Sequence, residues 1–167
     1  MDITTAVIIV AVVGFVLYKQ FTGQFVTIGG REAAVPLVII GIGVLSVAAT
    51  LPPVTPLGVA LLAGELVLAG ALGVARGYAF RLESRDGWLY RRGSVALLVA
   101  WVATIAVRVG ASLLGDGTGA GALLATSSAL VFGASLAVQS LVLRRRVAAD
   151  GRPLRPAGGR RAARVSR

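Results

Sequence analysis

The charged residues of this 167-residue chain are almost entirely excluded from its five long apolar runs. Only Glu65 and Arg108 lie well inside a run, whereas the other basic residues lie between the runs or in the C-terminal tail. An apolar run of about 20 residues is the length that a helix needs to cross a bilayer. This distribution therefore predicts an integral membrane protein that carries two intramembrane charges.

The runs predict an all-α membrane protein with five transmembrane helices. The spans are expected at about 3–18, 33–51, 57–75, 94–114 and 119–143, within a membrane domain 1–146. The polar, Pro- and Gly-containing segment 147–167 is expected to be a disordered basic cytoplasmic tail. The first run has no basic residue before it, and Lys19 follows it, so it is interpreted as an uncleaved anchor rather than a signal peptide.

Composition agrees with a membrane protein and restricts the chemistry. Hydrophobic residues make up 56% of the chain, and the mean hydropathy is +0.85. There is no cysteine and no histidine, which excludes disulfides and thiol chemistry and removes the commonest general base and metal ligand. No catalytic motif is present. The sequence therefore predicts a protein that is not an enzyme and has no cofactor and no metal site.

The distribution of basic residues predicts the orientation. Net charge is +10, which in a soluble protein would favour nucleic acid as a partner. Here the basic residues lie in the first loop, the third loop and the tail, all on one side of a five-span protein. The positive-inside rule then gives an N-out/C-in topology in the bacterial inner membrane. An anionic lipid leaflet is the expected partner of the basic tail, and nucleic acid is disfavoured.

The third loop has the pattern of a short cytoplasmic β-hairpin. Residues 78–82 and 88–91 alternate between apolar and polar side chains, and Asp86-Gly87 lies between them. This dipeptide favours the tight turn of a two-residue hairpin. The hairpin is interpreted either as a docking surface or as an interfacial element that seats the helices.

Glu65 and Arg108 should lie at nearly the same depth, about 12 Å and about 9 Å below the same surface at 1.5 Å per residue. Because an isolated intramembrane charge is costly, the two are expected to pair. The predicted polar cluster comprises Glu65, Arg108, Thr104, Ser112, Thr126, Ser127 and Ser128. Its alternatives are a structural ion pair, a site for an anionic substrate or a proton-linked Glu65, and a pair that does not form.

Small residues at four-residue spacing mark one face of the fifth run, at Ala129, Gly133 and Ala137. Such a series lets helix backbones approach closely in a membrane. Packing inside one bundle is the favoured interpretation, and a homodimer through this face is the alternative.

The third loop and the fourth run also resemble a known family. The residues concerned are Ala75-Arg76-Gly77, the run Arg85-Asp86-Gly87-Trp88-Leu89-Tyr90-Arg91-Arg92-Gly93, and Leu97 to Trp101 with Arg108. They are similar to the CcdC-like family of small, mostly uncharacterised bacterial membrane proteins, whose name comes from a gene neighbouring cytochrome c biogenesis genes. The hairpin positions singled out are Arg76, Gly77, Asp86, Gly87, Trp88 and Arg92.

Two functions are expected from these features. The first is a non-enzymatic accessory or assembly partner of other membrane proteins, which includes other copies of the chain. The alternative is a small transporter or channel subunit that uses the buried Glu65–Arg108 layer.

Overall fold

The computed structural model describes residues 22–26 and 34–156. This part of the chain forms five helices and a three-stranded sheet. In chain order the elements are β1 (Gln24–Phe25), α1 (Ala34–Thr50), α2 (Pro56–Ala79), β2 (Arg81–Arg85), β3 (Trp88–Arg92), α3 (Val95–Asp116), α4 (Gly121–Thr126) and α5 (Ser128–Asp150).

The connection between α1 and α2 is set by local chemistry. Leu51 adopts a left-handed φ of 40°, and the two prolines that follow cannot continue a helix. Thr55 then caps α2, since its hydroxyl accepts a hydrogen bond from the Gly58 amide at 3.0 Å. Pro56 occupies the first helical position, where its missing N–H costs nothing.

Helix α5 packs against α1 and α2, α3 packs against α2, and the short α4 contacts the other four helices. Near the sheet the core consists of Phe80, Leu97, Trp101 and Leu143. At the opposite end of the helices, the buried side chains are Leu123 and Leu124 of α4. The helices are therefore joined at both ends by apolar contacts, and polar groups lie between.

The prediction of five membrane-spanning helices is wrong. Among the described residues, only α2 and α3 are long and apolar enough to cross a membrane. Helix α1 has 17 residues, and the expected fifth span is interrupted at Ser127. After that break, α5 carries Gln139 and the arginines 144–146, which shorten its apolar part. The N-out/C-in orientation relied on five crossings and is withdrawn with them. The first predicted span, 3–18, lies outside the described residues.

A small antiparallel sheet lies between α2 and α3. The predicted hairpin forms, with Arg85 opposite Trp88 and Asp86-Gly87 in the turn. Both turn residues have positive φ, 53° and 77°, as a two-residue hairpin turn of this kind requires. The sequence did not predict β1, which pairs with β3 and makes the strand order β1-β3-β2.

The chain after residue 146 remains structured for longer than predicted. Helix α5 continues to Asp150, and Gly151 ends it in the left-handed conformation. The next residues return to the sheet, where the Leu89 amide donates to Pro153 O at 2.9 Å and the Arg155 amide donates to Val26 O at 3.0 Å. The predicted tail therefore begins with an ordered strap, and residues 157–167 lie outside the described part.

Replacing Gly87 with alanine should loosen the hairpin. A Cβ at this position would meet no atom within 4 Å, so the cost comes only from the left-handed φ, about 1–2 kcal/mol. About 1 kcal/mol corresponds to a five-fold larger open population, so trypsin cleavage at Arg85 should accelerate about five-fold. Ser84→Ala is the control, because Ser84 is exposed and lies in a regular strand. Equal cleavage of both variants would show that the turn conformation does not limit opening.

Candidate functional site

The two charged residues predicted to pair, Glu65 and Arg108, are in contact. Arg108 on α3 donates from Nη1 to Glu65 Oε1 on α2 at 2.6 Å. The Glu65 side chain is 2% exposed, and that of Arg108 is 28% exposed. The pair therefore joins a fully buried carboxylate to a guanidinium that reaches it from the edge of the bundle.

The other terminal nitrogen of Arg108 binds the junction between α4 and α5. Nη2 donates to Leu124 O at 2.6 Å and to the hydroxyl of Ser128. One arginine side chain thus links four helices. This is a charged crosslink at the level where the fifth predicted span is broken.

The break itself has a local cause. Thr126, Ser127 and Ser128 follow one another, and each hydroxyl donates to a carbonyl of the preceding turn. Such side-chain hydrogen bonds compete with those of the helix backbone. Leu124 O also accepts from Arg108, so the interruption supplies a backbone acceptor for its guanidinium.

Only part of the predicted polar cluster assembles. Glu65, Arg108 and Ser128 meet, as described above. The other four hydroxyls bond to the backbone of the chain near them: Thr104 to Ala100 O, Ser112 to Arg108 O, Thr126 to Ala122 O and Leu123 O, and Ser127 to Leu124 O. They do not contact the guanidinium of Arg108. The sequence predicted more members of the cluster than the three side chains that meet in the structure.

One atom of the pair has no partner. Glu65 Oε2 is buried and makes no hydrogen bond within the described structure. A buried polar atom without a partner is costly, and it marks a position that a proton or a water molecule would satisfy. The site can therefore hold a proton or a polar guest beside a fixed positive charge.

Arg76 and Gly77 do not belong to the hairpin, contrary to the sequence prediction. Helix α2 continues to Ala79, so both residues lie in its last turns, and both are buried. Arg76 is 0% exposed, its Nη2 donates to the hydroxyl of Ser135 on α5, and its Cζ lies 4.4 Å from the centre of the Trp101 ring. The sequence therefore missed a second fully buried charge besides Glu65. The polar residues Ser135 and Gln139, one turn apart on the same face of α5, were the available signal.

The remaining hairpin residues lie where they were predicted. Asp86 and Gly87 form the turn, Trp88 is half-buried, and Arg92 is exposed at the end of β3. Sequence analysis missed Arg146, whose Nη1 donates to Gly77 O, Tyr78 O and Phe80 O at 2.9 Å each. It satisfies the carbonyls at the end of α2 and thereby fixes the sheet to α5.

An open groove of about 580 Å³ runs along the base of the hairpin. Its lining includes exposed Tyr78 and Arg81, the start of α3 at Ser94, and Arg146. Arg81 and Glu83 are exposed charged residues of its lining, and the hairpin and the last turns of α5 carry further exposed arginines: Arg85, Arg92, Arg144 and Arg145. This end of the molecule is a basic surface with an aromatic component. Within the described ranges, no three Asp or Glu residues group as metal ligands.

Comparison with known proteins adds no family: no protein-family model, no curated protein and no solved structure matches this chain.

Proposed function

We propose that the protein is a multi-pass integral protein of the bacterial inner membrane, in which α2 and α3 cross the bilayer as an antiparallel pair. With 24 and 22 residues they extend about 36 Å and about 33 Å, enough for a hydrocarbon core of about 30 Å. Only 22% and 17% of their most apolar windows are buried, which favours crossing helices over the mostly buried core helices of a soluble fold. Such exposed apolar surface needs lipid or protein to cover it.

A cysteine-free chain makes this proposal directly testable. The connection before α2 and the connection after α3 should lie on one side of the membrane and the hairpin on the other. Single cysteines at Val54, Thr118 and Ser84, all exposed, should therefore react with an impermeant maleimide in two groups. In sealed vesicles of one orientation, the first two should label together and the third only after permeabilisation, or the reverse. Equal labelling of all three before permeabilisation would exclude the crossing of α2 and α3.

The role that these features support best is a non-enzymatic accessory or assembly partner of other membrane proteins. The observation that carries this proposal is the folded basic sheet at the hairpin end of α2 and α3. Four separate segments of the chain hold it: β1, the hairpin, Arg146 and the strap that contains Pro153 and Arg155. A surface held by four segments of the chain is already ordered, so it loses little conformational entropy when it binds a partner. Its arginines would contact the anionic leaflet or an acidic protein surface, and nucleic acid is the less favoured partner.

The accessory role predicts a stable complex that depends on the hairpin charges. Gentle extraction of the tagged protein should retain a heterologous membrane protein or a second copy. With the variant Arg81→Glu/Arg85→Glu/Arg92→Glu, the amount of co-purified partner should fall at least ten-fold, because three attractive contacts become repulsive. Glu83→Gln, on the same hairpin, is the control. A monomeric, uncomplexed protein, or a complex that the triple variant retains, would contradict the proposal.

A second candidate function is a small transporter or channel subunit, favoured by the unpartnered Glu65 Oε2 at a broken helix. Discontinuous helices in the bilayer often frame substrate or ion sites. For a proton-linked site, proteoliposomes carrying an internal pH dye should show proton flux that Glu65→Gln removes. Thr104→Ala, whose hydroxyl bonds only within α3, should keep the flux. Proton flux no greater than that of empty liposomes would exclude this function for Glu65.

A further inference from the structure

Arg76 is a buried cation whose hydrogen-bonding capacity is mostly unused. The side chain is 0% exposed, and neither Nε nor Nη1 has a hydrogen-bond partner in the described structure. Its one hydrogen bond is to the hydroxyl of Ser135, which itself donates to Ala69 O. A guanidinium has five N–H donors, so most of those on Arg76 point into the bundle without an acceptor.

No carboxylate compensates this charge among residues 22–26 and 34–156. The buried acid on the same helix, Glu65, lies eleven residues earlier, about 16 Å along the axis, and is already paired with Arg108. The face of Trp101 is attractive to a cation, yet it offers no acceptor to Nε or Nη1 in the plane of the guanidinium. An uncompensated buried charge is strongly destabilising, so an anion beside Arg76 would relieve a cost that no described residue relieves.

The surroundings limit the size of that anion. The helices are close together here: a Cβ on Gly73 would lie 2.6 Å from Ser135 O, and one on Gly77 would lie 2.7 Å from the side chain of Val142. Arg76 is three residues before the end of α2, which places it about 4.5 Å from the sheet side of the bundle. The sheet side of the bundle is therefore the nearest point of entry for a small ion, whereas a lipid headgroup or a phosphoester is too large for a fully enclosed site.

We propose that Arg76 binds a small monovalent inorganic anion of halide size between α2, α3 and α5, through its Nε and Nη1 donors, which lack a partner. The Ser135 hydroxyl accepts from Nη2 and donates to Ala69 O, so it holds the guanidinium in place and does not contact the anion. Gln139 lies one turn further along α5, and its buried Oε1 also lacks a partner. Rotation of its terminal amide by 180° would place the Nε2 donor where this oxygen lies, and Gln139 could then donate a hydrogen bond to the bound anion. The bound anion neutralises Arg76 and links three helices at the base of the sheet.

Trp101 provides the readout, since its ring lies against the guanidinium. In the Trp88→Phe background it is the one remaining tryptophan of the chain. The detergent-solubilised full chain is titrated with bromide against gluconate at constant ionic strength. Because Trp101 is 3% exposed, collisional quenching should be weak, whereas a bound bromide should give saturable quenching. Arg76→Met should weaken the apparent affinity at least ten-fold, and Arg81→Gln, which alters an exposed arginine, should not change it.

A second measurement does not depend on the folding of the Arg76 variant. The unsubstituted protein should melt at a higher temperature in chloride than in gluconate at equal ionic strength, because an anion that binds only the native state stabilises it. Quenching that stays linear in bromide together with equal melting temperatures would show that water, and not an anion, satisfies Arg76. Saturable quenching that Arg76→Met leaves unchanged would place the anion elsewhere and would equally overturn the proposal.

Discussion

Replacing Arg108 with glutamine should lower the free energy of unfolding by about 3–5 kcal/mol, because it leaves Glu65 buried and without its positive partner. Glu65 is 2% exposed and has no other hydrogen bond within the described chain. The substitution also removes the link from α3 to Leu124 O and to Ser128. Unfolding of the purified protein in mixed micelles, followed by circular dichroism, measures the loss.

The opposite single substitution should cost less. Glu65→Gln leaves an arginine that is 28% exposed and keeps two partners at the α4–α5 junction. We expect a loss of about 1–3 kcal/mol, the range for hydrogen bonds to a charged group. The double variant Glu65→Gln/Arg108→Gln should be more stable than Arg108→Gln alone, because no buried charge then remains unpaired. Ser112→Ala is the matched control on α3, since its hydroxyl bonds only to a backbone carbonyl.

These variants also separate the two functions proposed for the pair. If Arg108→Gln and Glu65→Gln are equally stable, and as stable as Ser112→Ala, the ion pair contributes nothing to folding and the structural role is excluded. If Glu65→Gln folds normally but a flux is lost, the carboxylate acts in transport. If stability falls in the predicted order and no flux exists, the pair is a structural crosslink of a protein that acts through its sheet surface.

Pairing of Glu65 with Arg108 could be predicted because it depends on distances that a helix fixes. Counting residues from the ends of two consecutive antiparallel helices places both charges at one depth. Because an unpaired charge there is costly, the two side chains are expected to pair. The hairpin was also predictable, because Asp86-Gly87 has a local conformational preference. Both predictions use information within one or two neighbouring elements.

The features that sequence analysis missed depend on contacts between distant segments. Arg76 lies at the end of an apolar run, where an arginine usually faces water. Its side chain is buried because α5 and Trp101 pack against it. The strand β1 and the strap at Arg155 pair with residues more than 60 positions away. Nothing in their own sequence indicates that pairing.

The number of spans was overestimated for a different reason. A count of apolar residues cannot show where the backbone stops being helical. Thr126, Ser127 and Ser128 were interpreted as side-chain ligands for Arg108, whereas all three bond to the backbone where α4 ends, and only Ser128 also contacts Arg108. Likewise the second predicted span, 33–51, extends one residue too far, since α1 ends at Thr50 and Leu51 is already left-handed.

Gly43→Ala should destabilise the protein by about 1–3 kcal/mol or more, whereas Gly41→Ala should change its stability by less than about 1 kcal/mol. A Cβ on Gly43 would lie 2.2 Å from the Leu130 backbone nitrogen, and a backbone atom cannot rotate away. A Cβ on Gly41, two residues earlier on α1, would meet nothing within 4 Å. On the facing helix, Gly133 has the same restriction, with Ile40 N at 2.8 Å from its Cβ position.

Comparing Gly43→Ala with Gly41→Ala tests whether the small-residue face of α5 packs within the chain or against a second copy. In the structure Gly133 contacts α1 of the same chain, so packing within one bundle accounts for it. Micelle unfolding of the two alanine variants, with sedimentation analysis of each, measures stability and association separately. A stable Gly43→Ala protein would mean that α1 does not rest on α5, leaving Gly133 free for a second copy. The expected result is a Gly43→Ala protein that unfolds more easily than Gly41→Ala but has the same association state. This result would show that the small-residue face of α5 packs against α1 of the same chain, because losing a contact within one chain lowers stability without changing the number of chains.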